Sequence, residues 1–312
     1  MKTLRAHLDE YLNLRHKLGF KFLTAGRLLG GFVAFAEGKK ASFITRKLAL
    51  AWATQPAGCQ PAHWATRLGM VRRFAQHVSG SDARTEVPPQ ELLPHRFHRK
   101  APYLYSDSEV RDLINAVRQL PSPDDLRAIS HATLFGLLAV TGMRVGEAIA
   151  LDRKDVDLER GLITVRRSKF NKSRWVPIHA STQKRLRAYA RQRDKLYPHP
   201  HTPSFFISER GTRLTDCTVR RWFIIVSHRI GLRKPADRRG PRLHDLRHRF
   251  AYKTILNWYR RDVDVEVHLP ELTTYLGHGH VADTYWYISS TPALLRLATQ
   301  RLERRKGGSH ER

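Results

Sequence analysis

The sequence predicts a mainly α-helical protein with a small β-sheet, divided into two domains by a linker. Three observations carry this. A chain of 312 residues, at about 150 residues per domain, suggests two domains that each bury a core. Apolar residues recur at helical spacing almost throughout, and only two short segments read as strands. Between residues 81 and 104 the periodicity is lost among prolines and a basic HRFHRK cluster, which places a linker at 86–104.

Residues 1–85 contain four amphipathic segments: LRAHLDEYLNLRHKL, AGRLLGGFVAFAE, ITRKLALAWAT and AHWATRLGMVRRFAQHV. Gly19, Gly38 and the QPAGCQPA stretch separate them, so a small helical bundle is expected. The second domain, 105–312, opens with SDSEVRDLINAV, whose Ser/Asp start and acidic first turn suit a capped helix. The apolar helix LRAISHATLFGLLAV follows, and Thr141 and Gly142 then interrupt it before a new helix begins near Arg144. LITVR and RWVPI read as two strands joined by a polar turn at SKFNK. Beyond them the chain returns to helices, ending in a tail helix from about residue 291 and a frayed RRKGGSHER.

Composition narrows the function. Lys and Arg number 56 against 28 Asp and Glu, giving a net charge of +28 and a pI near 10.9. A field of that sign concentrates polyanions, so nucleic acid leads as partner, ahead of an acidic membrane surface. Cys59 and Cys217 lie far apart and suggest a reducing compartment rather than a disulfide framework. No apolar run resembles a signal peptide or a membrane span, and a cytoplasmic, nucleoid-associated protein is expected.

In HDLRH, His244 and His248 stand four apart with Asp245 between them, close to the HExxH pattern of zinc proteases. Asp245 is a carbon shorter than the glutamate base, and the fixed cation of Arg247 would oppose a dication, so no metal is expected. Leu243, Leu246, Phe250, Thr254 and Trp258 form one apolar stripe, and Arg247 projects from that stripe's own sector. A guanidinium cannot shed its charge, and burying it is costly unless an anion meets it. Arg144 at a helix start also favours an anion, with Glu147 one turn on to orient it. On the hairpin, Lys169 is a candidate, and Lys172 and Arg174 compete with it. In LGHGHVADTYWYISS, Gly277 closes a helix and His278 follows in the turn. Val281, Tyr285 and Ile288 then share a face, which makes Tyr285 core and leaves Tyr287, on the face of Asp283 and Thr284, with a free hydroxyl.

This ordered set, Arg144, Lys169, HDLR at 244–247, LGH at 276–278 and a tyrosine nine residues later, resembles the tyrosine recombinase (phage integrase) family. The resemblance runs motif by motif from about residue 105 to 290 and is looser before that. It implies an N-terminal helical core-binding (SAM-like) domain and a mixed α/β catalytic domain of the DNA breaking-rejoining type. It assigns Arg144 and Arg247 as phosphate clamps, Lys169 as the hairpin lysine, His244 and His278 as the two histidines and Tyr287 as nucleophile. SKFNK lacks the glycine that many relatives carry beside the lysine, so Lys172 stays open as the alternative acid.

The resemblance further implies a 3′-phosphotyrosine intermediate and a free 5′-hydroxyl, with His244 as candidate base and His278 bonding the phosphate. The covalent bond conserves the ester's energy, so no cofactor is called for. A homo-tetramer on paired DNA sites, monomeric when free, is the implied assembly, with sister recombinases as further candidate partners. A type IB topoisomerase shares this chemistry, and a non-catalytic DNA-binding regulator is the alternative of another class.

Overall fold

A computed structural model describes residues 2–20, 22–94, 102–166, 173–234, 236, 240–289 and 291–307. The chain divides into two compact units, Met1–Lys100 and Ala101–Arg312.

The first unit is built from α1 (Leu4–Lys17), α2 (Leu23–Gly38), α3 (Arg46–Thr54) and α4 (Pro61–Ser79). Thr3 and Thr45 cap α1 and α3 through side-chain oxygens that accept from Ala6 N and Leu48 N, and Pro61 supplies a preset φ at the start of α4. Leu8, Tyr11, Leu29, Phe32, Trp52 and Phe74 fill the core between them. Arg67 lies 3.7 Å from the Trp52 ring centroid, its charge spread over an aromatic face. Val87 and Leu93 pack against this core, and Arg72 donates to Pro88 O and Pro89 O at 2.8 and 2.6 Å. The expected linker therefore begins as an ordered strap on the first bundle.

In the second unit, α5 (Asp107–Arg118) starts with a capping box between Ser106 and Glu109. It packs on α6 (Leu126–Thr141), and the short α7 (Val145–Ile149) follows. A 3₁₀ turn leads into β1 (Val156–Asp157), β2 (Leu162–Val165) and β3 (Arg174–Pro177). The three strands form an antiparallel sheet in the order β1-β2-β3, with Val165 opposite Arg174 and Leu162 opposite Pro177. The helices α8 (Ala180–Leu196), α9 (Asp216–Arg229), α10 (Leu243–Arg260), α11 (Val265–Leu276), α12 (Ala282–Ser289) and α13 (Pro292–Gly307) complete it. β1 went unread in the sequence because two residues hold no alternation to detect.

One core lies between α5, α6, the sheet, α8 and α9; a second joins α10 to α11, α12 and α13. α10 belongs to both, giving Leu243 and Leu246 to the first and Ala251 and Ile255 to the second. Its fully buried line is thus Leu243, Leu246, Arg247, Ala251 and Ile255, whereas Phe250, Thr254 and Trp258 of the expected stripe are half-buried at its edge. The tail helix α13 packs on its own domain: Leu294 is buried in the second core and Arg301 donates to Val263 O at 2.6 Å.

Gly142 ends α6 with φ +61°, and a Cβ there would meet Phe250 Cδ1 at 2.6 Å. Left-handed strain and overpacking together should make Gly142→Ala destabilising by about 2–4 kcal/mol. Thermal unfolding measures this, and an unchanged Tm would show that the α6–α10 contact yields freely.

Candidate active site

The site gathers around the N-terminal turns of α10. The N–H of Arg242 donates to Asp245 Oδ2 at 2.7 Å and its guanidinium bonds the same carboxylate, so Asp245 is spent on capping the helix. That fixes the rotation of α10 and with it the direction of Arg247. Arg247 is 1% exposed and the largest of the fully buried side chains. Nη1 donates to Gly142 O at 2.8 Å and Nη2 to Leu276 O at 2.6 Å. These carbonyls are the C-terminal ends of α6 and α11, where the peptide dipoles leave partial negative charge. Both helices end at a glycine in the left-handed region, Gly142 and Gly277, which turns the chain away and leaves the carbonyls available. The cation is held by partial charges, with no carboxylate bonded to it among the described residues. Burial, then the neighbouring Arg144, lowers its pKa to about 10.

Arg144 arrives from the start of α7. Nη1 bonds Glu147 Oε1 at 2.8 Å and Nη2 bonds Gly277 O at 3.0 Å. Glu147 is the local organiser. It also accepts both terminal nitrogens of Arg174, at 3.1 and 2.8 Å, and the N–H of Arg144 at 3.0 Å. Burial raises its pKa, but Arg174 and then Arg144 outweigh that and hold it at about 2. Arg174, at the head of β3, donates its Nε to Tyr275 O at 2.6 Å and so ties the sheet to the end of α11. The competition between Arg174 and the hairpin lysines is settled for Arg174 alone: it is a strut. Lys169 and Lys172 lie outside the described residues.

His244 stands at the exposed edge of the first turn of α10, its ring edge-on to His248 at 4.8 Å. Surrounding protein, then Arg247, pushes its pKa down to about 4. His278 follows Gly277; its Nδ1 lies 2.9 Å from Thr284 Oγ1, and its ring stacks on Tyr287 at 6.2 Å. Burial, then Arg247 and Arg144, lowers it to about 4 as well. Both rings are neutral at pH 7.

The two tyrosines of α12 reverse the expectation. Tyr285 is 47% exposed and Val281 is exposed with it, whereas Tyr287 is 3% exposed and belongs to the second core. The face of α12 that meets α10 and α11 is set by Thr284 and Tyr287, one turn apart. Thr284 Oγ1 sits 2.8 Å from Thr273 Oγ1, and this buried polar contact rotates the helix so that Tyr287 is inside. Tyr287 Oη is 3.3 Å from His248 Nδ1. Its hydroxyl thus has a partner rather than being free, and it lies close enough to Arg247 to support that residue's charge.

The folded chain therefore brings Arg144, His244, Arg247, His278 and Tyr287 to one place. Sequence reasoning weighed Arg174 only as a rival of the hairpin lysines and His248 only as half of a metal pair. His248 carried a signal in its four-residue spacing from His244; Arg174 carried only its position at a strand head.

Two outcomes follow from these charges. Unfolded histidine titrates near 6.5, so between pH 6.5 and 4 the unfolded chain binds more protons and stability falls as pH drops through that window. Melting temperature should be lower at pH 5 than at pH 7.5, and the difference should shrink in His244→Gln/His278→Gln; an equal drop in that variant would assign the effect elsewhere. Glu147→Gln leaves two guanidiniums around a neutral amide and should cost on the order of 3 kcal/mol in urea unfolding. A loss below 1 kcal/mol would mean that solvent already screens the pair.

The model of the phage integrase family matches residues 104–293. The chain is 46% identical, over 98% of its length and 98% of the relative's, to the integrase/recombinase y4rB of Sinorhizobium fredii. The fold is shared with the Tn1549 transposon integrase solved with transposon right end DNA (14% identity, 97% of this chain, 99% of that one, TM-score 0.65). It is shared also with the lambda integrase tetramer bound to a Holliday junction (19%, 90% and 78%, TM-score 0.57). A family model over residues 104–293 and a relative 46% identical across nearly the whole chain show that the protein is a DNA recombinase and that the chain belongs to the phage integrase family.

Proposed function

We propose that the protein is a site-specific DNA recombinase that cleaves and rejoins strands through a 3′-phosphotyrosyl intermediate, acting as a tetramer on two duplex sites. The observation that carries this reading is Arg247, a buried cation bonded to helix-end carbonyls and facing a second guanidinium. Such a pair repels itself until an anion arrives, and a phosphodiester is the anion that a chain of charge +28 concentrates.

The scissile phosphate bridges Arg144 and Arg247, whose remaining donors take up charge on the nonbridging oxygens as the transition state forms. The Tyr287 oxygen attacks phosphorus, forming the P–O bond to tyrosine and breaking the bond to the 5′ oxygen. The phenol's proton leaves to an imidazole nitrogen, His244 being the candidate in the clamp and His248 the ring already beside the hydroxyl. The departing 5′ oxygen takes a proton from Lys169, the candidate acid, or from Lys172. His278 bonds the phosphate. Rejoining reverses the step with a different 5′-hydroxyl, and the retained ester energy makes ATP unnecessary. Since Tyr287 is 3% exposed, α12 has to shift outward before its oxygen meets phosphorus. The tetramer rests on the lambda integrase likeness and on family membership.

A suicide duplex nicked near the cleavage point, incubated without divalent metal, should give a denaturant-resistant adduct with the unaltered chain and with Tyr285→Phe. Tyr287→Phe should bind the same DNA and give none. An adduct that persists in Tyr287→Phe makes another residue the nucleophile. Relaxation of a supercoiled plasmid without exchange between two sites would place the protein with the type IB topoisomerases.

A further inference from the structure

Away from the clamp, the second unit holds a polar cavity of about 450 Å³ formed by the first half of α6, the 208–215 loop and the first turns of α9. Four arginines line it, Arg127, Arg210, Arg213 and Arg221, against one acid, Glu209. Arg127 pairs with Glu209 and lies over the Trp222 ring. Arg213 pairs with Asp152 at 2.6 Å. Arg210 and Arg221 are exposed and stand in no ion pair among the described residues. The N terminus of the 14-residue α9 adds its dipole and the N–H groups of Asp216 and Cys217, Thr218 N being capped by Thr215 Oγ1 at 3.2 Å; Asp216 in its first turn is taken by Arg220 at 2.6 Å.

An independent observation comes from the floor of the cavity. His131 is 2% exposed, and its Nδ1–H donates to Arg127 O at 2.8 Å. That fixes the tautomer: Nε2 carries a lone pair. Nε2 is buried and has no hydrogen-bond partner among the described residues. A wholly enclosed ring nitrogen left unmatched beneath a positively charged cavity is a ligand position waiting for a donor.

We propose that this cavity seats a phosphate oxyanion, gripped by Arg210, Arg221 and the α9 N terminus, with His131 Nε2 accepting a hydrogen bond from the water or hydroxyl group that enters with it. The oxyanion has two sources, a phosphodiester of the DNA backbone or a free phosphate compound. The DNA source rests on the recombinase reading above and is favoured by the frame: Arg213 also donates to Ile149 O at 2.8 Å, at the far end of the short helix that begins with Arg144. The cavity and the clamp are thus fastened to opposite ends of α7, as two holds on one polyanion would be.

Two measurements on the full-length chain test this. Inorganic phosphate titrated into DNA-free protein should raise the Tm of the unaltered chain, much less that of Arg210→Gln/Arg221→Gln, and less that of His131→Phe, while Arg210→Lys/Arg221→Lys keeps most of the shift. Separately, the slope of log Kobs against log salt for a duplex should fall by about 0.9 in the Gln double variant, the value for one lost phosphate contact. Arg229→Gln, at the other end of α9, controls for mere loss of positive charge. A lost phosphate shift with an unchanged slope identifies a free phosphate compound as the occupant. No phosphate shift in the unaltered chain, with a slope in the double variant equal to that of Arg229→Gln, overturns the proposal. Absence of duplex binding by the unaltered chain would instead sink the recombinase reading and leave the phosphate titration to decide the site.

Discussion

The arrangement of the catalytic unit depends on how a permanent cation is kept inside a protein without being cancelled. Arg247 could have been buried against a carboxylate, and the second guanidinium of the neighbourhood, Arg174, is. A carboxylate of its own would remove the charge as well as the cost, whereas Glu147 divides one negative charge between Arg174 and Arg144 and leaves that pair net positive. The C-terminal carbonyls of α6 and α11 offer a different compromise: each carries only the partial charge of a helix end, enough to satisfy N–H donors and too little to neutralise a guanidinium. The residual charge is what a phosphate would feel. Arg247, His244 and His278 all have depressed pKa values, first because surrounding protein excludes water from each and then because each stands among neighbouring guanidiniums.

This explains why the key residues come from scattered places in the chain. Two helix ends have to point at one side chain, so α6 and α11 must each stop at a residue able to take positive φ, and a third helix must run past both. Gly142 and Gly277 supply the stops, and the residues just after them, Arg144 and His278, are carried to the clamp by the same turns. Glu147 and Arg174 then lock the sheet to α7 and α11, so that the hairpin following β2 is anchored at its base beside the clamp. Glu147 offsets part of the charge of Arg144 and Arg174, while no carboxylate is bonded to the enclosed Arg247 among the described residues.

Much of this was legible in the sequence. The amphipathic pattern of the helices and the strands at 162–165 and 174–177 follow from local periodicity, and the burial of Arg247 follows from its place on the apolar stripe of α10. What was not legible depended on partners distant in sequence. α12 has only eight residues, and the spacing of Val281, Tyr285 and Ile288 alone assigned Tyr285 to the core. The orientation is decided by Thr273 on α11, whose hydroxyl meets Thr284, and no feature of α12 itself announces that contact. Arg174 was equally opaque, because its role exists only where Glu147 and Tyr275 converge. Val87 and Leu93 were hidden for a related reason: prolines mark the loss of helix, and say nothing about whether the chain continues along a core.

The proposed clamp and the proposed nucleophile are held differently. Arg144 is bonded to Glu147 and Gly277 O and Arg247 to helix-end carbonyls, bonds that need not break when an anion arrives, whereas Tyr287 lies inside the second core beside His248; Arg247 and Tyr287 are both covered, at 1% and 3% exposed. A phenol in that position is protected from water and from adventitious phosphates, and it cannot react until α12 yields. The energy for that displacement has to come from binding, since a ligand shifts a conformational equilibrium only by its differential affinity for the two states. A phosphate ester too small to engage surfaces beyond the clamp has little such affinity to give, while a duplex that covers much of a strongly basic chain has a great deal. In the proposed mechanism, hiding Tyr287 converts extended binding into selectivity for DNA, and places the discrimination in the packing of α12 and α13 as much as in the residues that touch phosphorus.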